Sequence, residues 1–165
     1  MKIIFLDVDG VLNSEVWNQN HKIETENGFL IDEKAIKLLS YLVKKSGAKI
    51  VLHSGWRFWF DEKFSPIRKE SENFKNLLDK NGLSFYDFTP DLTTEEIRKN
   101  GKFSLAKPKE ILLWLNNHSD ISNWVVIDDI VLNNKTIQKH QVAPDNKIGL
   151  TLADIEKAIK LLEDI

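Results

Sequence analysis

Cysteine is absent from this chain, and with it go a disulfide framework, a thiolate nucleophile and a Cys-ligated zinc site. Long apolar runs are missing too. No stretch approaches the roughly 18 residues needed to span a bilayer, and the amino terminus lacks a basic region followed by a long apolar core. The expectation is a soluble, unexported protein of the cytoplasm that contacts no membrane. His21, His53, His118 and His140 show no HxxxH or HxH spacing, which leaves histidine-based zinc chemistry unsupported. GxxxxGK[ST] and GxGxxG are absent, so a glycine cradle for nucleotide phosphates is not indicated. An excess of one charge is lacking as well: the net charge is -2 with both signs interspersed, so an anionic substrate must be held by local groups. No repeat, low-complexity tract or linker divides the 165 residues, and 42% hydrophobic content supplies a core, so residues 1–165 are expected to form one domain. Oligomeric state is not legible.

What is present begins at once. In KIIFLDVDGVLNS an apolar run leads into two alternating acids, Asp7 and Asp9, followed by Gly10. Side chains alternate along a strand, so both acids can lean into one crevice at its carboxyl end while Val8 points back. Two carboxylates aimed at one spot repel each other and call for a hard cation such as Mg²⁺ or a shared proton; the alternative is an Asx-rich turn. Further on, residues 12–31 read as polar and irregular. DEKAIKLLSYLVKKSG reads as an amphipathic helix capped by Asp32 and stopped by Gly47. KIVLHS at 49–54 has strand character, 66–81 is helical, and LSFYDF is a further strand. The KPKEILLWLNNH helix places Pro108 in its first turn, NWVVIDD at 123–129 is a strand, HQVA a short one, and a last helix starts at Thr151 with Asp154 in its first turn.

Strands alternating with helices imply a mainly parallel sheet covered on both faces, with the ligand crevice beyond the carboxyl ends of the strands. On that architecture Asp7, Asp9, Ser54, Asp128 and Asp129 converge, and Lys107 begins the helix preceding the strand that carries the acid pair. Such a set suits phosphoryl transfer. Mg²⁺ takes a few carboxylates plus substrate oxygens, which fits Asp7, the main-chain carbonyl of Asp9, and Asp128. Ser54 and Lys107 can face the phosphoryl oxygens, with Gly10 letting the backbone turn closely there. Asp7 can act as nucleophile and Asp9 as general acid and base. Lys109, two residues beyond Lys107, is the alternative lysine. GWRFWF at 55–60 offers Trp56 or Trp59 for stacking on a base and Arg57 for a phosphate, the alternative being that the rings pack under the next helix or against a second subunit.

DVDGVLN at 7–13, the apolar strand ending in Ser54, Lys107, and IDD at 127–129 resemble, in order, the four motifs of the haloacid dehalogenase superfamily of phosphohydrolases. The DxDGVLN start, LHSGWR at 52–57, the KPKEILLWL helix and GLT at 149–151 are similar to the small phosphatase-like domain of Swiss-army-knife RNA repair proteins. The resemblance implies a Rossmann-like α/β three-layer sandwich, Mg²⁺ as cofactor, an Asp7 nucleophile and an Asp9 acid/base. It also implies Ser54 and Lys107 as phosphate contacts, with Asp128 and Asp129 at the metal. The stretch 58–104 is too short for a large cap domain, so an open site admitting a nucleotide or a nucleic-acid end is expected, with Asn13, Trp56 and Arg57 as candidate substrate contacts. Two rivals remain: a receiver-like phospho-acceptor, whose motif order differs, and a catalytically inert binding module in a repair or regulatory assembly.

Overall fold

The computed structural model describes residues 1–163. Its strands are β1 (Lys2–Leu6), β2 (Lys49–Leu52), β3 (Phe85–Phe88), β4 (Asn123–Ile127) and β5 (Gln141–Val142). Its helices are α1 (Glu15–Asn20), α2 (Lys22–Glu26), α3 (Glu33–Ser46), α4 (Lys69–Lys80), α5 (Glu95–Asn100), α6 (Phe103–Asn116), α7 (Lys135–Lys139) and α8 (Leu152–Glu163), with a 3₁₀ turn at Gly55–Trp59.

The five strands form one sheet of order β3-β2-β1-β4-β5, with every pairing parallel. Residues of β1 alternate strictly between two apolar layers. Ile4 and Leu6 face α3, α4 and α8 together with Ile36, Leu39, Phe74 and Ile155; Ile3 and Phe5 face α6 and α7 together with Ile111, Trp114 and Ile137. A period-two strand buried on both faces explains why these segments read as continuous apolar runs. The sandwich is therefore three-layered and Rossmann-like, as expected.

Local signals hold the helix ends. Asp32 accepts from the Lys34 N–H at 2.9 Å, and Gly47 closes α3 in the left-handed region at φ 68°. Thr151 and Asp154 cap α8 reciprocally: the Thr151 N–H donates to Asp154 Oδ2 at 2.9 Å and the Asp154 N–H to Thr151 Oγ1 at 3.3 Å. Three expectations change. The stretch 12–31, expected to be irregular, contains α1 and α2, and α5 lies within 89–106, which reads from the sequence as polar and mixed. Helix α6 begins at Phe103, so Lys107 and Pro108 lie one turn inside it rather than at its start. Pro108 has no N–H for the Ser104 carbonyl, which instead accepts from the Asn133 N–H at 3.0 Å. A proline inside this helix thus ties it to the loop after β4.

Candidate active site

The chain runs outward from β1 through β2 to β3, then returns to the other side of β1 for β4 and β5. Beyond the carboxyl ends of β1 and β4 lies the point where the connections diverge, the place where open α/β sheets bind ligands. Register delivers side chains there. Leu6 pairs with Ile127 and with Leu52, and the ladder continues one step further as the Asp7 N–H donates to Ile127 O at 2.9 Å and the His53 N–H to Leu6 O at 2.7 Å. Asp7, His53 and Asp128 therefore emerge in a row, with Ser54 next along the chain.

A cleft of about 470 Å³ opens at this edge, lined by Asp7, Asp9, Gly10, Ser54, Lys107 and Asp129 among others. Asp7, Asp128 and Asp129 each present a carboxylate oxygen within 4.8 Å of the other two. Lys107 Nζ donates to Oδ2 of Asp7 at 3.0 Å and to Oδ2 of Asp128 at 2.5 Å. Burial, then the Asp7 carboxylate, push Asp128 up to about 7 despite the pull of Lys107. Burial and Asp7 also raise Asp129. Burial works to lower the Lys107 ammonium, but Asp7 and Asp128 outweigh it and hold it above the ordinary 10.5. Lys109 is exposed on α6, about 200° around the helix from Lys107, so the structure puts Lys107 and not Lys109 in the cleft. The residues fit a hard divalent cation: the donors are all carboxylate oxygens, and their mutual repulsion is what such an ion relieves.

Asp9 stands apart from this triad. Its expected metal ligand is the main-chain carbonyl, and its carboxylate, expected to serve as acid and base, accepts from Asn13 Nδ2 at 3.0 Å and Trp56 Nε1 at 3.1 Å. Both acids lie beyond the end of β1, which stops at Leu6, so Asp9 is placed by the loop rather than by strand alternation. Gly10, expected beside phosphate, already donates its N–H to Asn13 Oδ1 at 2.9 Å. Its φ is +77°, and a Cβ there would lie 2.5 Å from Asp129 Oδ2, so glycine leaves room for that carboxylate.

The candidate substrate contacts have other work. Asn13 spends its amide on Gly10, Asp9 and the Leu30 carbonyl, bracing the loop. Trp56 is only 3% exposed and packs edge-on to Phe74 at 5.4 Å; its ring offers no face to a base. Trp59 packs on the same core beneath the Arg68 guanidinium at 4.8 Å. Arg57 is buried, donating to Ser54 O at 2.8 Å and to Glu110 Oε1 at 3.3 Å. Ser54 caps the 3₁₀ turn, its Oγ accepting from the Trp56 N–H at 3.3 Å.

Two residues escaped the sequence reading. Glu110, one turn after Lys107 on α6, binds Arg57 and also accepts from the Leu92 N–H at 2.9 Å; the i, i+3 spacing from Lys107 was its available signal. Fully buried His53 contacts Thr89 Oγ1 at 2.9 Å. Burial, then Lys107 and Arg57, hold its pKa well below 6.5, so the ring is neutral. Nothing in its spacing marked it.

A parallel sheet with this strand order, an acid pair just past its first strand, a lysine on a later helix and a second acid pair after the fourth strand is the arrangement that the resemblance to haloacid dehalogenase domains implies. A family model described as the HAD domain in Swiss Army Knife RNA repair proteins matches residues 3–155, and the chain belongs to that family. Comparison with curated proteins and with solved structures gave no match. Among the described residues no helix is long and apolar enough to cross a membrane.

Proposed function

We propose that residues 1–165 act as a single Mg²⁺-dependent phosphomonoesterase unit working through an aspartyl-phosphate on Asp7. The observation that carries this reading is the meeting of Asp7, Asp128, Asp129 and Lys107 at the β1/β4 divergence. Asp7, Asp128 and Asp129 would hold the metal, with the Asp9 main-chain carbonyl as a further ligand. When bound, Mg²⁺ supplies charge neutralisation for the phosphoryl oxygens.

The chain's own groups account for the rest. An Asp7 carboxylate oxygen attacks phosphorus as the bond to the ester oxygen breaks, and Asp9 gives that leaving oxygen its proton. Asp9 then takes a proton from water, whose oxygen attacks the phosphorus and releases inorganic phosphate with Asp7 restored. Lys107 engages only Oδ2 of Asp7, and Oδ1 takes no hydrogen bond from the described residues, which suits a nucleophilic oxygen. Holding Asp9 outside the acidic triad suits a proton carrier. Lys107 and Ser54 orient the phosphoryl group. The described strands form a single sheet with no cap sheet over the cleft, and the family's association with RNA repair supports phosphorylated nucleic-acid ends as the substrate class.

The test is phosphate release from a generic phosphomonoester with Mg²⁺. The wild type is expected to turn over repeatedly, and Asp7→Asn to lose activity by at least about a thousandfold while keeping its circular dichroism spectrum. Release ending near one phosphate per chain would indicate a receiver-like phospho-acceptor. No release at all would indicate an inert binding module.

A further inference from the structure

Beside the catalytic cleft lies a second, of about 580 Å³, lined by Gly55, Arg57, Phe58, Asp91, Thr93, Arg98, Phe103, Lys107 and Glu110. Gly55, Phe103 and Lys107 belong to both linings, so the two clefts adjoin, and a molecule with its phosphate at Lys107 can extend toward the second. The segment 89–102, including α5, forms one side of it.

Three features describe its occupant. Phe58 and Phe103 are 50% and 37% exposed, aromatic surface left open at a cleft rather than packed away. Arg57, 8% exposed, has an Nε that finds no hydrogen-bond partner among the described residues, although its other nitrogens donate to Ser54 O and Glu110. That N–H is also shut off from solvent, so Arg57 frames the cleft without offering it a free donor. Arg98, on α5, engages Asp91 through one nitrogen at 3.0 Å and is itself more than half exposed. In this lining Arg57 and Arg98 are matched by Glu110 and Asp91, and Lys107 is engaged by Asp7 and Asp128, so Arg98 is the cation that stands exposed to a ligand. Flat apolar surface next to an exposed guanidinium suits a planar base joined to a phosphodiester; a small sugar phosphate would leave both rings in water.

We propose that the second cleft is the leaving-group subsite, taking the terminal nucleotide of a phosphorylated nucleic-acid end, with its base against Phe58 and Phe103 and the adjoining phosphodiester at Arg98. This rests on the phosphatase reading above and assigns the selection of substrate to Phe58, a residue absent from the catalytic cleft.

The experiment compares kcat/KM for phosphorylated dinucleotides, 3′ and 5′, with that for glycerol 2-phosphate, in wild type, Phe58→Ala and Phe58→Tyr. Half-exposed Phe58 can be truncated without emptying the core, and circular dichroism checks the fold. The dinucleotide-to-glycerol-phosphate ratio is expected to fall at least tenfold in Phe58→Ala, chiefly through KM, and to return in Phe58→Tyr. In parallel, binding of the same dinucleotide without its terminal phosphate is followed by NMR titration and is expected to weaken at least tenfold in Phe58→Ala. An unchanged ratio together with undiminished binding overturns the subsite, while hydrolysis of glycerol 2-phosphate would leave the phosphatase reading standing. Phe58-dependent binding with no hydrolysis of any substrate supports the subsite and overturns the phosphatase reading alone.

Discussion

At Gly10 two constraints meet in one residue. The backbone sits at φ +77°, and a methyl group would lie 2.5 Å from Oδ2 and 2.7 Å from Cγ of Asp129. Gly10→Ala should therefore lose about 1–2 kcal/mol from the left-handed conformation alone, and further stability as Asp129 is displaced. Urea unfolding measures the first effect; weaker Mg²⁺ binding by calorimetry measures the second. At this scale the sequence was most legible where a residue's chemistry needs no partner to be recognised. Asp7, Asp128, Asp129 and Lys107 meet as their positions at strand ends and along the chain implied. It was least legible where the outcome depends on facing. Asn13, Trp56 and Arg57 lie in the right loops, yet their polar groups turn inward to hold Asp9, Gly10 and Glu110. Residue type cannot distinguish a group that touches substrate from one that supports its neighbour.

Helix α6 shows the same limit for an element. It presents Lys107 to the cleft and, one turn later, Glu110 to the 3₁₀ turn and the loop at Leu92. Glu110 is 1% exposed and Arg57 8%, so removing one member leaves the other's charge buried. Glu110→Ala is expected to cost about 3–5 kcal/mol in urea unfolding, and Glu110→Gln distinctly less, since it keeps an acceptor for the Leu92 N–H. The long elements α3, α4 and α8 were readable from their amphipathic period and end signals. The five- and six-residue helices α1, α2 and α5 were not, being too short to show a period. The start of α6 was misplaced because proline ordinarily marks a first turn; here the contact that frees it, Asn133 N–H to Ser104 O, joins segments distant in the chain.

For the whole molecule, the acidic triad has a thermodynamic consequence. An ion bound only by the folded state stabilises it by mass action, about 2.7 kcal/mol at a hundred times Kd, or roughly 5–10 °C in Tm for a chain of this length. Calorimetry should show that rise with Mg²⁺, its reversal by EDTA, and its loss in Asp128→Ala; an unresponsive Tm would argue against a metal at this edge. Alternation of strands with helices, the apolar runs of β1, β2 and β4, and acids placed just past those runs are properties of the linear chain, because side-chain periodicity and local end signals act over a few residues. That was enough to determine a parallel α/β sandwich and the side of the sheet where its acids would gather. Pairing β1 with both β2 and β4, and so setting Asp7 beside Asp128, is a matter of long-range register. Burial of Trp56, the Arg57–Glu110 contact and the opening of a second cleft follow from how α6 and the 3₁₀ turn pack together. Those features exist only after distant surfaces exclude water between them, which is why tertiary structure alone decided them.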